Sequence, residues 1–449
     1  FRSRNMEIAV GNIYAVGLLK TFHRFYLFDC RFYIFIFTFQ IFFMAKSLLI
    51  TGLDIGTSSI KIAVAQKRPE EENLEITYAA SQPSRGVRRG VVVDAEAAAK
   101  CIGESLKAAQ LAMGHNLEEV HISVNGGHIF CTRSHGLVSV SRADGSISAE
   151  DVDRVLQAAR TISLSSNKEI VDIYPREFAV DGESGVKDAV GMKGVRLEAE
   201  VLIVAGFTPY LKNSDQAVLR AGLEVANRAP AVIAAAGAAL SEQQKELGAA
   251  VLDVGAGTTG LAVYEEGDLS HIAILPIGSA NITHDIAIGL KVDVETAERL
   301  KVEKGICVFK GADKKIKLAG ENDKAAGAIF SQRLVSRIIQ ERVAEIFELA
   351  NKELKKIGRE KKLPGGIVLV GGGVKVPGAE EVAKKVFQLT CAIGAPRNFS
   401  NIESDPSLAA VCGLARTGWK EKEEESAGPS RFSAGGLGKI KRFFKIFIP

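Results

Sequence analysis

From Ser47 onward, short apolar runs of strand character alternate with longer stretches that repeat apolar residues at helical spacing, which predicts an α/β fold. "SLLITGLDIG" and "SIKIAVAQ" read as two strands around a tight turn. "AEAAAKCIGESLKAAQLAMG", residues 95–114, reads as a helix ending at Gly114. Residues 128–207 carry several short strands and one helix near 148–161, opened by a capping-box variant of Ser148 and Asp151. The turn-rich edges of this block mark it as an insertion. A second α/β half begins near Gly248, with helices over 294–305 and 331–358. In the longer helix Leu334, Ile338, Ile339, Val343, Ile346, Phe347 and Ala350 recur near the 3.6 period. "GGIVLVGGGVKVPG" reads as a buried strand running into glycines, followed by a helix from Ala379. A final helix is expected from Asp405 and Pro406 to Trp419, and a charged, then small-polar linker over 420–436.

Residues 1–43 differ from everything after them. "RFYIFIFTFQIFF" is short for a membrane span, Asp29 and Arg31 cut into its start, and no small-residue cleavage site comes after it. "MAKSLLITGLDIG" reads as a cytoplasmic start at Met44, so 1–43 is expected to be an upstream or non-native extension. With 449 residues, 47% hydrophobic and 24% charged, the remainder suits a globular protein of two or three domains. A net charge of +4 does not suggest a nucleic-acid partner. Six scattered cysteines without a C-x-x-C pair read as reduced thiols rather than a metal site.

In "VLDVGAGTTGLAVYEEGDLSHIAIL" the spacing of Gly255, Gly257 and Gly260 suits a dinucleotide-binding turn. The residues after Gly260 form a hairpin pattern, however, and a dinucleotide turn needs a helix whose N-terminus carries the pyrophosphate. The better clue is a repeat. "GLDIGTSSIKIAVAQ" at 52–66 and "VLDVGAGTTGLAVYE" at 251–265 share an Asp, a glycine turn with small polar residues, and a returning apolar strand. Gly56, Thr57, Ser58 and Ser59 in one turn, and Gly255, Gly257, Thr258 and Thr259 in the other, offer N–H groups and hydroxyls to phosphate oxygens. Asp54 and Asp253 point carboxylates toward a phosphate-bound Mg²⁺, directly or through water. Two such hairpins, each opening one half of the chain, predict a clamp that holds a nucleotide between two lobes.

Gly371, Gly372 and Gly373 at a strand end would let a flat adenosine lie against the backbone, although a plain strand-to-helix turn explains them too. Glu298 and Lys301 share a helix face, as a solvated pair or as groups reaching ribose or base. No spacing singles out a catalytic base; Asp253 or a group near Asn125 is placed to orient a water. At the end of the chain, a helical wheel puts Leu437, Ile440, Phe443, Phe444, Phe447 and Ile448 on one side, and Lys441, Arg442 and Lys445 on the other. That pattern suits an in-plane membrane anchor, where an ordinary packing helix at a domain terminus is the alternative. Each cation near an anionic leaflet contributes about 1 kcal/mol. One copy binds reversibly, and many copies on a filament bind tightly.

From Ser47 to Trp419 these pieces, in this order, resemble the actin-like ATPase superfamily. Within it the chain is similar to the FtsA family of bacterial cell-division proteins. The residues that carry this are "ITGLDIGTSSIKIAVA", "RGVVVDAEAAAKCI", "VLDVGAGTTGLAVY", "LPIGSANITHDIAIGL" followed by "AERLK", and the basic-aromatic terminus. The resemblance implies a two-lobed actin-like ATPase fold with an inserted small α/β subdomain and a C-terminal amphipathic helix. The first lobe would take 44–127 and 208–249, the insertion 128–207, the second-lobe core 250–290 and 363–419, and an outer subdomain 291–362. It implies ATP and Mg²⁺ on the residues named above, with at most slow turnover. It also implies polymerisation on the inner face of the cytoplasmic membrane, tethering of FtsZ at the division site, and recruitment of later division proteins. The C-terminal peptide of FtsZ would dock on 291–362, where Lys301, Lys304, Arg333 and Arg337 are basic contacts or simply a solvated helix face. Rival readings are a pilus-assembly adaptor of similar fold and a sugar kinase on the same scaffold.

Overall fold

A computed structural model describes residues 48–426, apart from 69–70, 72 and 319–328. The expectations for 1–43 and for the amphipathic segment 437–449 lie outside the described residues.

The chain enters through β1 (Ile50–Ile55), β2 (Ser59–Gln66) and β3 (Leu74–Pro83). A miniature hairpin of β4 (Val87–Arg88) and β5 (Val91–Val92) precedes α1 (Ala95–Met113) and β6 (Glu119–Val124). The inserted block holds β7 (Phe130–Ser139), α2 (Ala149–Arg160), β8 (Lys168–Val180), β9 (Glu183–Val186) and β10 (Arg196–Phe207). Then come α3 (Thr208–Arg220), β11 (Glu224–Pro230), α4 (Ala231–Ala239) and α5 (Glu242–Leu247). The second half runs β12 (Ala249–Val254), β13 (Thr259–Glu265), β14 (Asp268–Leu275), α6 (Ser279–Leu290), α7 (Val294–Lys304), β15 (Lys315–Ile316) and β16 (Phe330–Ser331). It continues with α8 (Gln332–Lys356), β17 (Gly366–Val370), α9 (Ala379–Phe387), β18 (Cys391–Ile393), β19 (Phe399–Ser400) and α10 (Ala409–Ser426).

The sequence repeat is a structural repeat. In one sheet, ordered β11-β6-β1-β2-β3-β19, β1 pairs antiparallel with β2 and parallel with β6. In the other, ordered β14-β13-β12-β17-β18, β12 pairs antiparallel with β13 and parallel with β17. The two hairpin turns therefore leave equivalent places in two sheets. Between the sheets lies α4, whose "AVIAAAGAA" is apolar on every side and buried on most. Val232, Ala235 and Ala239 pack among Val251, Ala262 and Val370, while Ala238 joins Ala63, Ala65 and Val411. Small side chains let the helices close up: a Cβ on Gly413 of α10 would stand 1.8 Å from the Ala234 carbonyl oxygen. This tight stack holds the two turns facing one another.

The insertion forms its own four-stranded sheet, ordered β7-β10-β8-β9. One face is covered by α2, through Val152, Val155, Leu156 and Ala159 against Leu197, Ala199, Val201 and Ile203. The start of α2 is the Ser148–Asp151 capping box, with the fully buried Asp151 carboxylate also accepting from Ser141 N at 3.0 Å.

The C-terminal helix departs from expectation at both ends. Asp405 and Pro406 open a 3₁₀ turn, Pro406–Leu408, and α10 starts at Ala409. It then continues past Trp419 to Ser426, into the stretch read as linker. The charged run is held because its side chains find partners in or beside β2, β6 and β11. Lys67 pairs with Glu423 at 2.9 Å, Lys422 with Glu119 at 3.0 Å, and Asn227 donates to Glu421.

Candidate functional site

The turns of the two hairpins face each other across a cleft of about 490 Å³. Each turn is closed by the same bond: Gly56 N donates to Ser59 O at 3.1 Å, and Gly255 N to Thr258 O at 2.9 Å. A Cβ on Gly56 would stand 2.7 Å from that carbonyl oxygen, so the turn demands glycine. Asp54, Gly56–Ser59, Asp253, Gly255, Gly257, Thr258, Glu298, Lys301 and Gly371–Gly373 all line the cleft. Thr259 does not. It is fully buried at the start of β13, and its hydroxyl donates to Ile277 O at 2.8 Å.

The Asp54 carboxylate is held on both oxygens. It accepts from Ser123 Oγ at 2.8 Å and from Lys61 Nζ at 3.0 Å. Burial works against the Lys61 charge, but Asp54, helped by Asp253 and Asp405, outweighs it and raises the ammonium above its ordinary range. Asp253 behaves differently. Burial pushes its carboxyl up to about 6, the nearby Asp54 charge adds to this, and Lys61 opposes it. Two carboxylates thus share one ammonium, an imbalance that a phosphate-borne divalent cation would relieve. Among the described residues no cluster of three or more His, Cys, Asp or Glu is poised to hold a metal alone.

The glycine run borders the same space. Gly371 has φ +91°, and a Cβ there would lie 2.4 Å from Asp253 Oδ1. A Cβ on Gly372 would meet nothing within 4 Å. That open side, bare of a side chain, leaves room for a base. On α7, Lys301 Nζ donates to Glu298 Oε2 at 2.7 Å and to Thr283 Oγ1 at 2.9 Å. Donors for phosphate, carboxylates for its cation and a bare wall for a base together fit a Mg-nucleotide.

Lys61, Gly90, Asn125 and Lys375 also line the cleft, beyond the residues that the sequence assigns to nucleotide binding. Lys61 was legible, since an antiparallel two-strand register sets it opposite Asp54. Lys375 was not; it reaches Asp405, 30 positions away, at 2.9 Å.

The four candidate basic contacts do not gather. Lys301 is only 8% exposed and bonded inside the cleft wall, so it is no part of an outer peptide-binding surface. Lys304 is half-buried, and Arg333 donates to Gly311 O at 2.9 Å. Arg337 alone of the four lines a groove of about 600 Å³ between α6 and α8, beside Ile288, Leu334 and Ile338. Ile288 is 77% exposed and Leu334 44%.

Residues 250–413 match the family described as "Cell division protein FtsA", and 126–205 match "SHS2 domain inserted in FTSA". The chain is 32% identical over 381 residues to the cell division protein FtsA of Pseudomonas aeruginosa, covering 84% of this chain and 90% of that one. It is 35% identical over 375 residues to that of Bacillus subtilis, covering 83% of each. In fold it is similar to the PilM–PilN type IV pilus biogenesis complex, with a TM-score of 0.59 and 17% identity over 82% of this chain and 98% of that one. It is also similar to MreB5 of Spiroplasma citri bound to ADP, with a TM-score of 0.52 and 15% identity over 85% and 99% of the two chains. These solved structures show the fold alone, an actin-like α/β ATPase architecture. Given the inserted domain and identity to relatives over more than four-fifths of its length, the chain belongs to the FtsA family of cell-division proteins.

Proposed function

We propose that this protein binds Mg-ATP between its two phosphate turns and uses it as an assembly switch. The observation that carries this is the convergence of both turns, the Asp54 and Asp253 carboxylates and the glycine wall on one cleft. In this reading the first lobe, 44–127 and 208–249, closes on the second across the nucleotide, and the closed form polymerises. The filament lies on the inner face of the cytoplasmic membrane, held by the amphipathic residues 437–449. The described residues include no helix long and apolar enough to cross a membrane. The inserted domain is left to meet later division proteins.

The groove between α6 and α8 is the proposed dock for the C-terminal peptide of FtsZ. Exposed Ile288 and Leu334 offer an apolar floor, and Arg337 is the cation that would meet an acidic side chain, beside the groove's own Glu341, Glu345 and Glu348. Arg342 is already engaged by Asp285 and Glu345. Arg337→Glu is expected to weaken binding of an FtsZ tail peptide by about tenfold. Fluorescence anisotropy with the labelled peptide checks this, and an unchanged affinity would move the dock elsewhere.

The deciding experiment for the whole reading is sedimentation with anionic liposomes, with and without Mg-ATP. The chain from Met44 is compared with one that ends at Gly436. Pelleting is expected to need both residues 437–449 and ATP. Equal pelleting of the two chains would remove the anchor.

A further inference from the structure

A second cavity, of about 340 Å³, lies between the inserted sheet and the β13–β14 pair and shares no residue with the nucleotide cleft. Its volume falls in the range of small-molecule sites, roughly 300–1,000 Å³. β7 contributes Cys131 and Arg133, β8 contributes Arg176, and β14 contributes Ser270 and His271. Glu265 at the end of β13 and Arg359, just past α8, line it as well.

Two β-bulges frame this space. In β8, Pro175 stands opposite Val201 and Glu177 opposite Glu200, which leaves Arg176 as an extra residue in the ladder. In β14, Leu269 stands opposite Tyr264 and His271 opposite Val263, which leaves Ser270 as the extra one. A bulge breaks ladder hydrogen bonds and re-aims a side chain, and here two of them open on one cavity. In β7, Arg133 stands opposite Leu202, on the sheet face turned away from α2.

Positive charge is in excess there. Arg133 and Arg176 share one carboxylate, with their Nη1 atoms 3.5 and 2.7 Å from the same Glu200 Oε1. Arg359 Nε meets Glu265 Oε1 at 2.5 Å. Three guanidinium groups thus answer to two carboxylates. Arg176 Nε and His271 Nε2 are buried, and neither has a hydrogen-bond partner among the described residues. Burial lowers the His271 imidazole below its ordinary range, with Lys356 and Arg133 adding to this and Glu353 opposing it. The ring is therefore neutral, and the charge of the site is that of the arginines. Cys131 offers no nucleophile: its thiol donates to Ile272 O at 3.3 Å, and burial raises it above the ordinary thiol range.

We propose that this cavity binds a small phosphate-bearing anion, free phosphate or a phosphomonoester. Arg133 and Arg176 would hold it from the inserted sheet, and Arg359 from the other wall. A guanidinium fork takes two phosphate oxygens at once, and the orphaned Arg176 Nε gains an acceptor. With walls drawn from two parts of the fold, a bound anion would fasten the inserted domain to β13 and β14. It would do so whether or not the main cleft holds a nucleotide.

The test is calorimetric titration of the full chain with inorganic phosphate and, separately, with glycerol phosphate, at constant ionic strength set by chloride. Arg133→Gln and Arg359→Gln, on opposite walls, are each expected to bind about tenfold or more weakly than the parent. Their melting points in chloride are expected to match the parent's, and whichever variant keeps that melting point decides. Tighter binding of glycerol phosphate than of phosphate would mark a phosphomonoester as the ligand, and the reverse would mark the free ion. Affinity that survives in both variants would place the anion elsewhere, in the phosphate turns first, and overturn the proposal. A parent that bound neither anion would overturn it too. Lower melting points in both variants would make the arginines structural and count against it equally.

Discussion

Asp253→Asn is expected to make the nucleotide-free protein more stable and its nucleotide site worse. Asp253 stands above its ordinary value of 3.8, at about 6, chiefly because it is buried and also because Asp54 lies close by. The folded chain therefore keeps a proton that the unfolded chain releases between about pH 4 and pH 6. Stability falls as pH rises through that window, and the loss is complete above it. The rise corresponds to ~1–3 kcal/mol at neutral pH. Asparagine removes the charge but keeps the shape, so the melting point at pH 7.5 should rise by roughly 2–6 °C. At pH 4 the two proteins should melt nearly together. If Asp253 faces the cation as proposed, Mg-nucleotide affinity should fall by about tenfold or more. Melting curves at both pH values, with calorimetric titration of Mg-ADP, check the two halves. A variant that loses stability at pH 7.5 would show that Lys61 outweighs burial and Asp54, and that the carboxylate is held as part of an ion pair.

The same residue shows why the site was partly legible in the sequence. Leu-Asp-x-Gly followed by an apolar return strand is a local pattern, and its turn and register are set by neighbours in the chain. That pattern places Asp54 and Asp253 at equivalent turns without knowledge of the rest of the molecule. It also holds one misassignment. Thr258 closes the second turn as Ser59 closes the first and lines the cleft, whereas Thr259 is already the first residue of β13 and gives its hydroxyl to Ile277 O. Lys301 was harder. Its spacing from Glu298 puts both on one helix face, but only packing against Thr283 and Ser279 shows that Lys301 is buried while Glu298 stays exposed. The extension of α10 was out of reach for a similar reason. A charged run such as "KEKEEES" reads as solvated until Lys67, Glu119 and Asn227 are known to stand beside it. Gly90 lies closest to this limit: its turn is local, but its contact with Thr57 is made by the fold.

The glycine run offers the cleanest separation of structural from functional need. Gly371→Ala is expected to destabilise the protein by ~2–4 kcal/mol, since φ +91° strains any side chain and the new Cβ would press on Asp253 and Val254. Nucleotide binding should fail along with it, because the displaced group is the Asp253 carboxylate. Gly372→Ala is the informative partner. Its Cβ meets nothing within 4 Å and its backbone is not in the left-handed region, so stability should stay within about 0.5 kcal/mol. The added methyl nevertheless projects from a residue that lines the cleft, where a base would lie flat. Affinity for ATP and ADP should then drop together by about tenfold, while affinity for inorganic triphosphate should not change. Paired melting and binding measurements on the two variants decide the matter. If Gly372→Ala bound both nucleotides as tightly as the parent, the glycines would be a strand-to-helix turn and nothing more. The adenosine would then have to sit on another wall, with Glu298 and Lys301 of α7 as the nearest polar groups to probe.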